Sequence, residues 1–308
     1  LDTAKWRPDT IVPLAGTSTT IPFVDYGGER VAVDDLDGEA LDSLDVLILA
    51  VPSDVAVGAA ERAAAEGALV VDCSGAFFGD LEVPLCIPWV NPEALQEPPR
   101  GIVAIPSAPA ILIASALGPL TRAGVEGPLN ATVLLPASSW GRAGIDELSR
   151  QVVALFNADT PPRKVFENGL AFDLLPQVGN LDAAGWTDRE VSVVNEVRRL
   201  LGLQTELNIT LVAVPVFSGV SANCELRTVR HVPPQLARQI LVDGGVLVGE
   251  DDGARYVPRP RRVEGQPFAH AGRIRADPHG NLHIWLSMDN LRASAAVAVS
   301  CCGALIRQ

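Results

Sequence analysis

Two apolar segments, LDVLILAVPSDVA (residues 44–56) and ALVVDCSGAFF (68–78), constrain this chain more than any other feature. Neither alternates polar with apolar residues, so each predicts a strand covered on both faces. The Ala-rich stretch SDVAVGAAERAAAEGA that follows the first strand predicts a helix with Ser53 as its N-cap. Two such strands joined by one helix imply parallel pairing, half of a doubly wound nucleotide-binding fold.

The stretch GIVAIPSAPAILIASALGPL (101–120) has a related design: a buried strand that breaks at Pro106, a turn, and an apolar helix. An α/β enzyme places a nucleophile at such a turn. Here only Ser107 carries a hydroxyl, and Ala108, Pro109 and Ala110 behind it have nothing that attacks a carbonyl. Further on, LNATVLLPASS and LNITLVAVPVF predict strands, separated by the helical patterns GRAGIDELSRQVVALFN and TDREVSVVNEVRRLLG. ELRTVRHV, FAHAGRIRADP and NLHIWLSM then follow closely, as in a mixed or antiparallel sheet. The segment EDDGARYVPRPRRVEGQP (250–267) predicts an exposed connector.

With 308 residues, 48% of them hydrophobic, the chain is long enough for two domains with sizeable cores. Its formal net charge of −13 argues against nucleic-acid or anionic-membrane partners, which need a basic face. The longest apolar run, Ala293 to Ile306, is interrupted by Ser294, Ser300 and Gly303 and is shorter than the roughly 18 residues that span a bilayer. Five cysteines in apolar surroundings, with no CxxC and no histidine at ligand spacing, predict reduced thiols in a cytoplasmic protein and no metal site. A chain that starts at Leu1 and has Met288 as its one methionine is expected to be preceded by further residues.

The stretches VVDCSGAFFGDLEVPLCIPWVNPEAL, GRAGIDEL, AFDLLPQVGN, VPVFSGVS, GRIRAD and DNLRASAAVAV, in this order, resemble the aspartate-semialdehyde dehydrogenase family over nearly the whole length. The Usg-type branch is the most similar, and N-acetyl-glutamyl-phosphate reductases are more distant. The resemblance implies α/β plus α+β architecture: a Rossmann-like nucleotide-binding domain and a second, dimerisation domain of mixed sheet and helices. The expected boundaries are residues 1–106 with 289–308 for the first, its N-terminal βα unit missing, and 107–288 for the dimerisation and former catalytic domain.

In the family, a cysteine thiolate attacks the aldehyde, hydride passes to NADP, and phosphate releases the acyl group. Covalent catalysis of this kind needs a nucleophile and a nearby base. Matching AIPSAPAI to the family's Asn-Pro-Asn-Cys-Ser-Thr motif puts Ala108 at the nucleophile. The family's Gly-His-Ser is here Gly219-Val220-Ser221, so Val220 replaces the base. Ala213 stands for the carboxylate-binding arginine and Leu135 for the acyl-orienting glutamine. Phe78 and Ser192 replace an arginine and a lysine that bind phosphate, and Ser18 the arginine that meets a 2′-phosphate. The resemblance thus implies no catalytic residue and a mainly apolar pocket, narrowed by Phe78, that cannot compensate a buried anion.

For a cofactor the resemblance leaves Ser74, Gly75 and Asn290 as flanking positions, with Ala293 and Ser294 replacing a lysine and a glycine. NAD(P) binding then depends on a glycine-rich loop ahead of Leu1, in a segment of about 25 residues. Substitute nucleophiles are Cys73, Cys224, Ser107, Ser138 and Ser139, against the plainer reading of packed residues, since no base is assignable to them. His270 and His283 flank strands of one sheet and could pair, against solvated or packed histidines. Arg273 and Arg275 alternate, as in a surface salt bridge. Three functions stay open: a non-catalytic dimeric binding protein, a partner subunit of an active relative, and an NAD(P)-dependent oxidoreductase with another substrate.

Overall fold

The computed structural model describes residues 6–16, 21–36, 41, 43–228, 230–249 and 257–306. Its fold is α/β, in two compact units. The first comprises Leu1–Pro84, Ala94–Ala104 and Ala298–Gln308, and the second Leu85–Glu93 and Ile105–Val297.

In the first unit, short strands β1 (Leu14–Ala15) and β4 (Asp34–Asp35) pair in parallel, and β2 (Phe23–Tyr26) and β3 (Glu29–Ala32) form a hairpin. The segments that constrained the sequence most become β5 (Val46–Leu49), α1 (Ser53–Ala65) and β6 (Leu69–Asp72). With β7 (Ile102–Ala104) they form a parallel sheet of order β5-β6-β7. Helix α1 lays Ala56, Ala59, Ala60 and Ala63 against this sheet, and small side chains allow the close approach. Ser53 is its first helical residue rather than its cap: Pro52 holds the cap position, and no side chain bonds there.

The second unit begins its regular structure with α2 (Ala108–Arg122), followed by β8 (Leu129–Leu135), α3 (Gly141–Phe156), α4 (Asp188–Leu201), β9 (Leu207–Ala213) and β10 (Val220–Leu226). Then come α5 (Pro234–Asp243), β11 (Leu247–Val248), α6 (Pro260–Val263), β12 (His270–Ala276) and β13 (Leu282–Met288). Helix α7 (Asn290–Leu305) gives its first half to this unit and its last to the other. The strands form one mixed sheet of order β11-β12-β13-β10-β8-β9, parallel at both ends and antiparallel between. Buried residues alternate along β8 (Leu129, Ala131, Val133, Leu135) and β9 (Leu207, Ile209, Leu211, Ala213), as a sheet with one covered face requires. Helices α2, α4 and α5 pack on this sheet, and α4 starts in a capping box between Thr187 and Glu190.

Three local expectations need correction. Part of the expected connector is built: α6 packs on β13, Val263 is buried, and the Pro258 carbonyl accepts a hydrogen bond from Trp285 Nε1 at 2.8 Å. Residues 250–256 lie outside the described set. Arg273 sits at a break in the β12–β13 register with φ +51°, and Arg275 donates to its carbonyl rather than to a carboxylate. His270 and His283 do not pair, because the register sets His270 opposite Ser287 and His283 opposite Arg275. His283 lies 3.5 Å from Asp277 instead.

Candidate functional site

Helix α2 packs on β10 and β13, and its last turns (Leu117, Thr121) line a small cavity with Leu129 and Leu207, the first residues of β8 and β9. At the opposite end of these strands lie three of the four replaced positions. Leu135 and Ala213 are register partners at that end, and β10, antiparallel to β8, begins there with Val220. Leu135 is 3% exposed, and Ala213 and Val220 are fully buried. Ala108, the first residue of α2, is half-buried. These four side chains present only methyl, methylene and methine groups, so none of them supplies a nucleophile or a cation.

The polar groups nearby are bound to one another. Asn290 accepts from the Gly219 amide at 3.0 Å and donates to Ser138 Oγ at 3.0 Å. Gly219 needs to be glycine: its φ is +93°, and a Cβ would come within 2.8 Å of Pro260. On the opposite face of the sheet, Ser221, Ser287 and His270 form a buried row across β10, β13 and β12, with Ser221 and Ser287 hydroxyls 2.9 Å apart. Burial, and next the Arg262 charge, hold His270 below its ordinary pKa, so it stays neutral.

One titratable group that residue-by-residue reading missed meets the turn itself. Glu196 of α4, 1% exposed, accepts from the Ser107 amide at 2.6 Å and from the Ser192 hydroxyl at 3.0 Å. Burial pushes its carboxyl above the ordinary value, against the pull of those hydrogen bonds. A signal was present in the sequence: Glu196 falls in the helical stripe of Val193, Val197 and Leu200, where a carboxylate must find a partner. Ser192, expected in place of a lysine, thus serves Glu196.

In the first unit, the turn after β6 is also filled from within. Asp72 accepts from Ser74 Oγ at 2.6 Å, and Ser74 Oγ accepts from the Ala76 amide at 3.0 Å. Gly75 has φ +82°, and a Cβ there would be 2.9 Å from the Phe78 ring. This turn, as built, offers a dinucleotide neither a spare serine hydroxyl nor an open glycine face, and Asn290 is engaged as described. These residues do not fit the group. Ser18 lies outside the described residues.

The thiols are poor substitutes. Burial raises Cys73 to about 12, with Asp72 and Cys302 adding to the rise, and burial alone raises Cys224 to about 12. Cys302 is likewise pushed up to about 12 by burial. At pH 8, native Cys73 and Cys224 should react with iodoacetamide on the order of a thousandfold slower than a free cysteine. Mass spectrometry before and after denaturation checks this, and fast native labelling at Cys73 would reinstate it as a nucleophile. Among the described residues no group of three or more His, Cys, Asp or Glu is placed to hold a metal, and no helix is long and apolar enough to cross a membrane.

A unit with a parallel sheet and a unit with a mixed sheet, with these motifs, define a dehydrogenase-like class of fold. Residues 14–97 match the family model for the semialdehyde dehydrogenase NAD binding domain, and residues 117–293 that for its dimerisation domain. The chain belongs to the semialdehyde dehydrogenase family. It is 32% identical over 300 residues to a USG-1 protein homolog of Pseudomonas aeruginosa, covering 95% of this chain and 88% of that one. It is 30% identical over 289 residues to an aspartate-semialdehyde dehydrogenase of Synechocystis, covering 92% and 85%. Among solved structures, aspartate semialdehyde dehydrogenase II from Vibrio cholerae superimposes with a TM-score of 0.92 at 28% identity, covering 97% of this chain and 91% of that one.

Proposed function

We propose that this family member does not carry out phosphate-dependent semialdehyde oxidation and acts as a non-catalytic homodimer, a binding protein or a partner of an active relative. The reading is supported by Leu135, Ala213 and Val220 at one end of one sheet, together with Ala108 on the first turn of α2, none of which has a polar atom in its side chain. Without a base or a cation there, neither thiohemiacetal formation nor carboxylate binding has a group to support it. Phe78 and the closed Ser74 turn favour the absence of a bound dinucleotide phosphate, and the five free cysteines favour the reducing cytoplasm.

One observation favours a second reading, an NAD(P)-dependent oxidoreductase acting on another substrate. Glu196 is a buried carboxyl with a raised pKa, next to the turn that carries Ala108, and such groups are candidates for acid–base work. Calorimetric titration of the full-length protein separates the two. No heat is expected from phosphate or from NADP at micromolar to millimolar concentration. Micromolar NADP binding would overturn the first reading and favour the second.

A further inference from the structure

We infer that the corner formed by α6 and the start of α7 is a docking surface for a segment of another protein that carries both carboxylates and apolar side chains. The inference rests on the binding-protein reading and gives the chemistry of the partner. Both ends of α6 are tied to this corner. At its start, Pro260 lies against Gly219, whose amide donates to Asn290 Oδ1 at 3.0 Å. Past its end, the Gly265 amide donates to Asp289 Oδ2 at 2.8 Å, and Asp289 Oδ1 accepts from the Leu291 and Arg292 amides, each at 3.1 Å. Asp289 and Asn290 therefore join the two helices, which puts Arg259, Arg261 and Arg262 beside Arg292. All four arginines are exposed.

Elsewhere the chain neutralises exposed arginines from within: Arg100 pairs with Asp80 and Glu61, Arg142 with Asp146, and Arg227 with Glu225. Among the described residues no carboxylate stands within ion-pair distance of Arg259, Arg261 or Arg292. The acidic side chains of 257–268 and 289–292 are Glu264 and Asp289, and Asp289 is 5% exposed with its oxygens taken up by backbone amides. On a chain of net charge −13 this corner is thus a cationic spot facing water. Guanidinium groups there are suited to bidentate pairing with carboxylates.

Two observations select a short protein segment as the occupant. Large apolar side chains are exposed in the same segments as the arginines: Val257, Phe268 and Leu291, at 38%, 47% and 52%. A bare anion leaves them wet, whereas a segment with apolar residues among its carboxylates covers them, and arginine beside aromatic side chains is the composition of such interfaces. A long polyanion, by contrast, would run from the corner onto the remainder of a chain whose net charge is −13. The surface is also ordered in advance. Prolines at 258, 260 and 267 fix their own φ, the Pro258 carbonyl accepts from Trp285 Nε1, and Phe268 meets Trp89 edge to face at 6.2 Å. Such order lowers the entropic cost of docking.

Fluorescence polarisation of the full-length protein with a labelled short peptide of Asp, Glu and Leu tests the surface. Micromolar binding that weakens with added salt is expected. The same peptide with Lys for its acids should not bind, and one with Ser for Leu should bind about tenfold more weakly. The double variant Arg261→Glu/Arg262→Glu, with its fold checked by circular dichroism, should lose at least about tenfold in affinity. Hydrogen exchange of the wild type needs no variant to fold: amides of 261–266 and of the first turn of α7 should exchange more slowly with the acidic peptide bound. No binding of that peptide, equal binding by the double variant, or protection elsewhere overturns the surface and leaves the binding-protein reading standing. Displacement by inorganic tripolyphosphate together with undiminished binding of the Ser peptide overturns the choice of a protein segment. Phosphate-dependent semialdehyde oxidation by the same preparation overturns the binding-protein reading itself.

Discussion

Purified full-length protein is expected to show no phosphate-dependent oxidation of aspartate semialdehyde, at least about 10⁶-fold below an active enzyme. The magnitude follows from removing a nucleophile that acts as a unit with its base, where loss of either alone has about the full effect. Restoring the thiol alone, Ala108→Cys, should change nothing measurable. The new sulfur would lack a base, because Val220 is isopropyl, and the substrate would lack its anchor, because Ala213 is methyl. Coupled spectrophotometric assay of wild type and Ala108→Cys, with purity controlled by an inactive mock preparation, decides it. Turnover proportional to protein concentration in the wild type would sink the non-catalytic reading.

The largest stability effect is expected at Glu147. Glu147→Ala removes the acceptor of three backbone amides and leaves those donors without it, at a cost of about 3 kcal/mol. Glu147→Gln keeps one acceptor oxygen and should lose less. Urea unfolding midpoints measure both, and equal midpoints for Glu147→Ala and wild type would refute the clamp. The pH dependence gives an independent check. Burial alone would raise the carboxyl, but the Phe166, Val165 and Lys164 amides, with Arg150, hold it below its ordinary value. A depressed folded-state pKa stabilises above the unfolded value near 4.3, and that stability is lost as pH falls through the folded value. The gap between wild type and Glu147→Gln should therefore narrow on acidification. Glu196 is shifted the other way, so its contribution is whole below about pH 4.3 and is lost as pH rises. The stability of Glu196→Gln relative to wild type should improve from acid toward neutral pH.

Local chemistry made several features legible in the residues alone. The unbroken apolar runs at 46–50 and 68–71 became the bodies of β5 and β6, because strands without alternation suit parallel pairing in a sheet covered on its faces. The helical pattern TDREVSVVNEVRRLLG became α4, because its apolar residues recur at helical spacing and so share one face. The identities at 108, 135, 213 and 220 needed no coordinates either, because a methyl or isopropyl group lacks a lone pair in any fold. Only the tertiary structure decided what surrounds them. Glu196 meets the Ser107 amide across 89 residues, Asn290 joins Ser138 across 152, and Ser221, Ser287 and His270 align through register on three strands. Phe78 could be named as a replacement, but its ring lying on Gly75 depends on a left-handed turn that no spacing specifies. The reason is physical: a residue type carries its own donors, acceptors and volume, whereas the partner that satisfies a buried group is chosen by the packing of distant elements, and that choice exists only once the chain has folded.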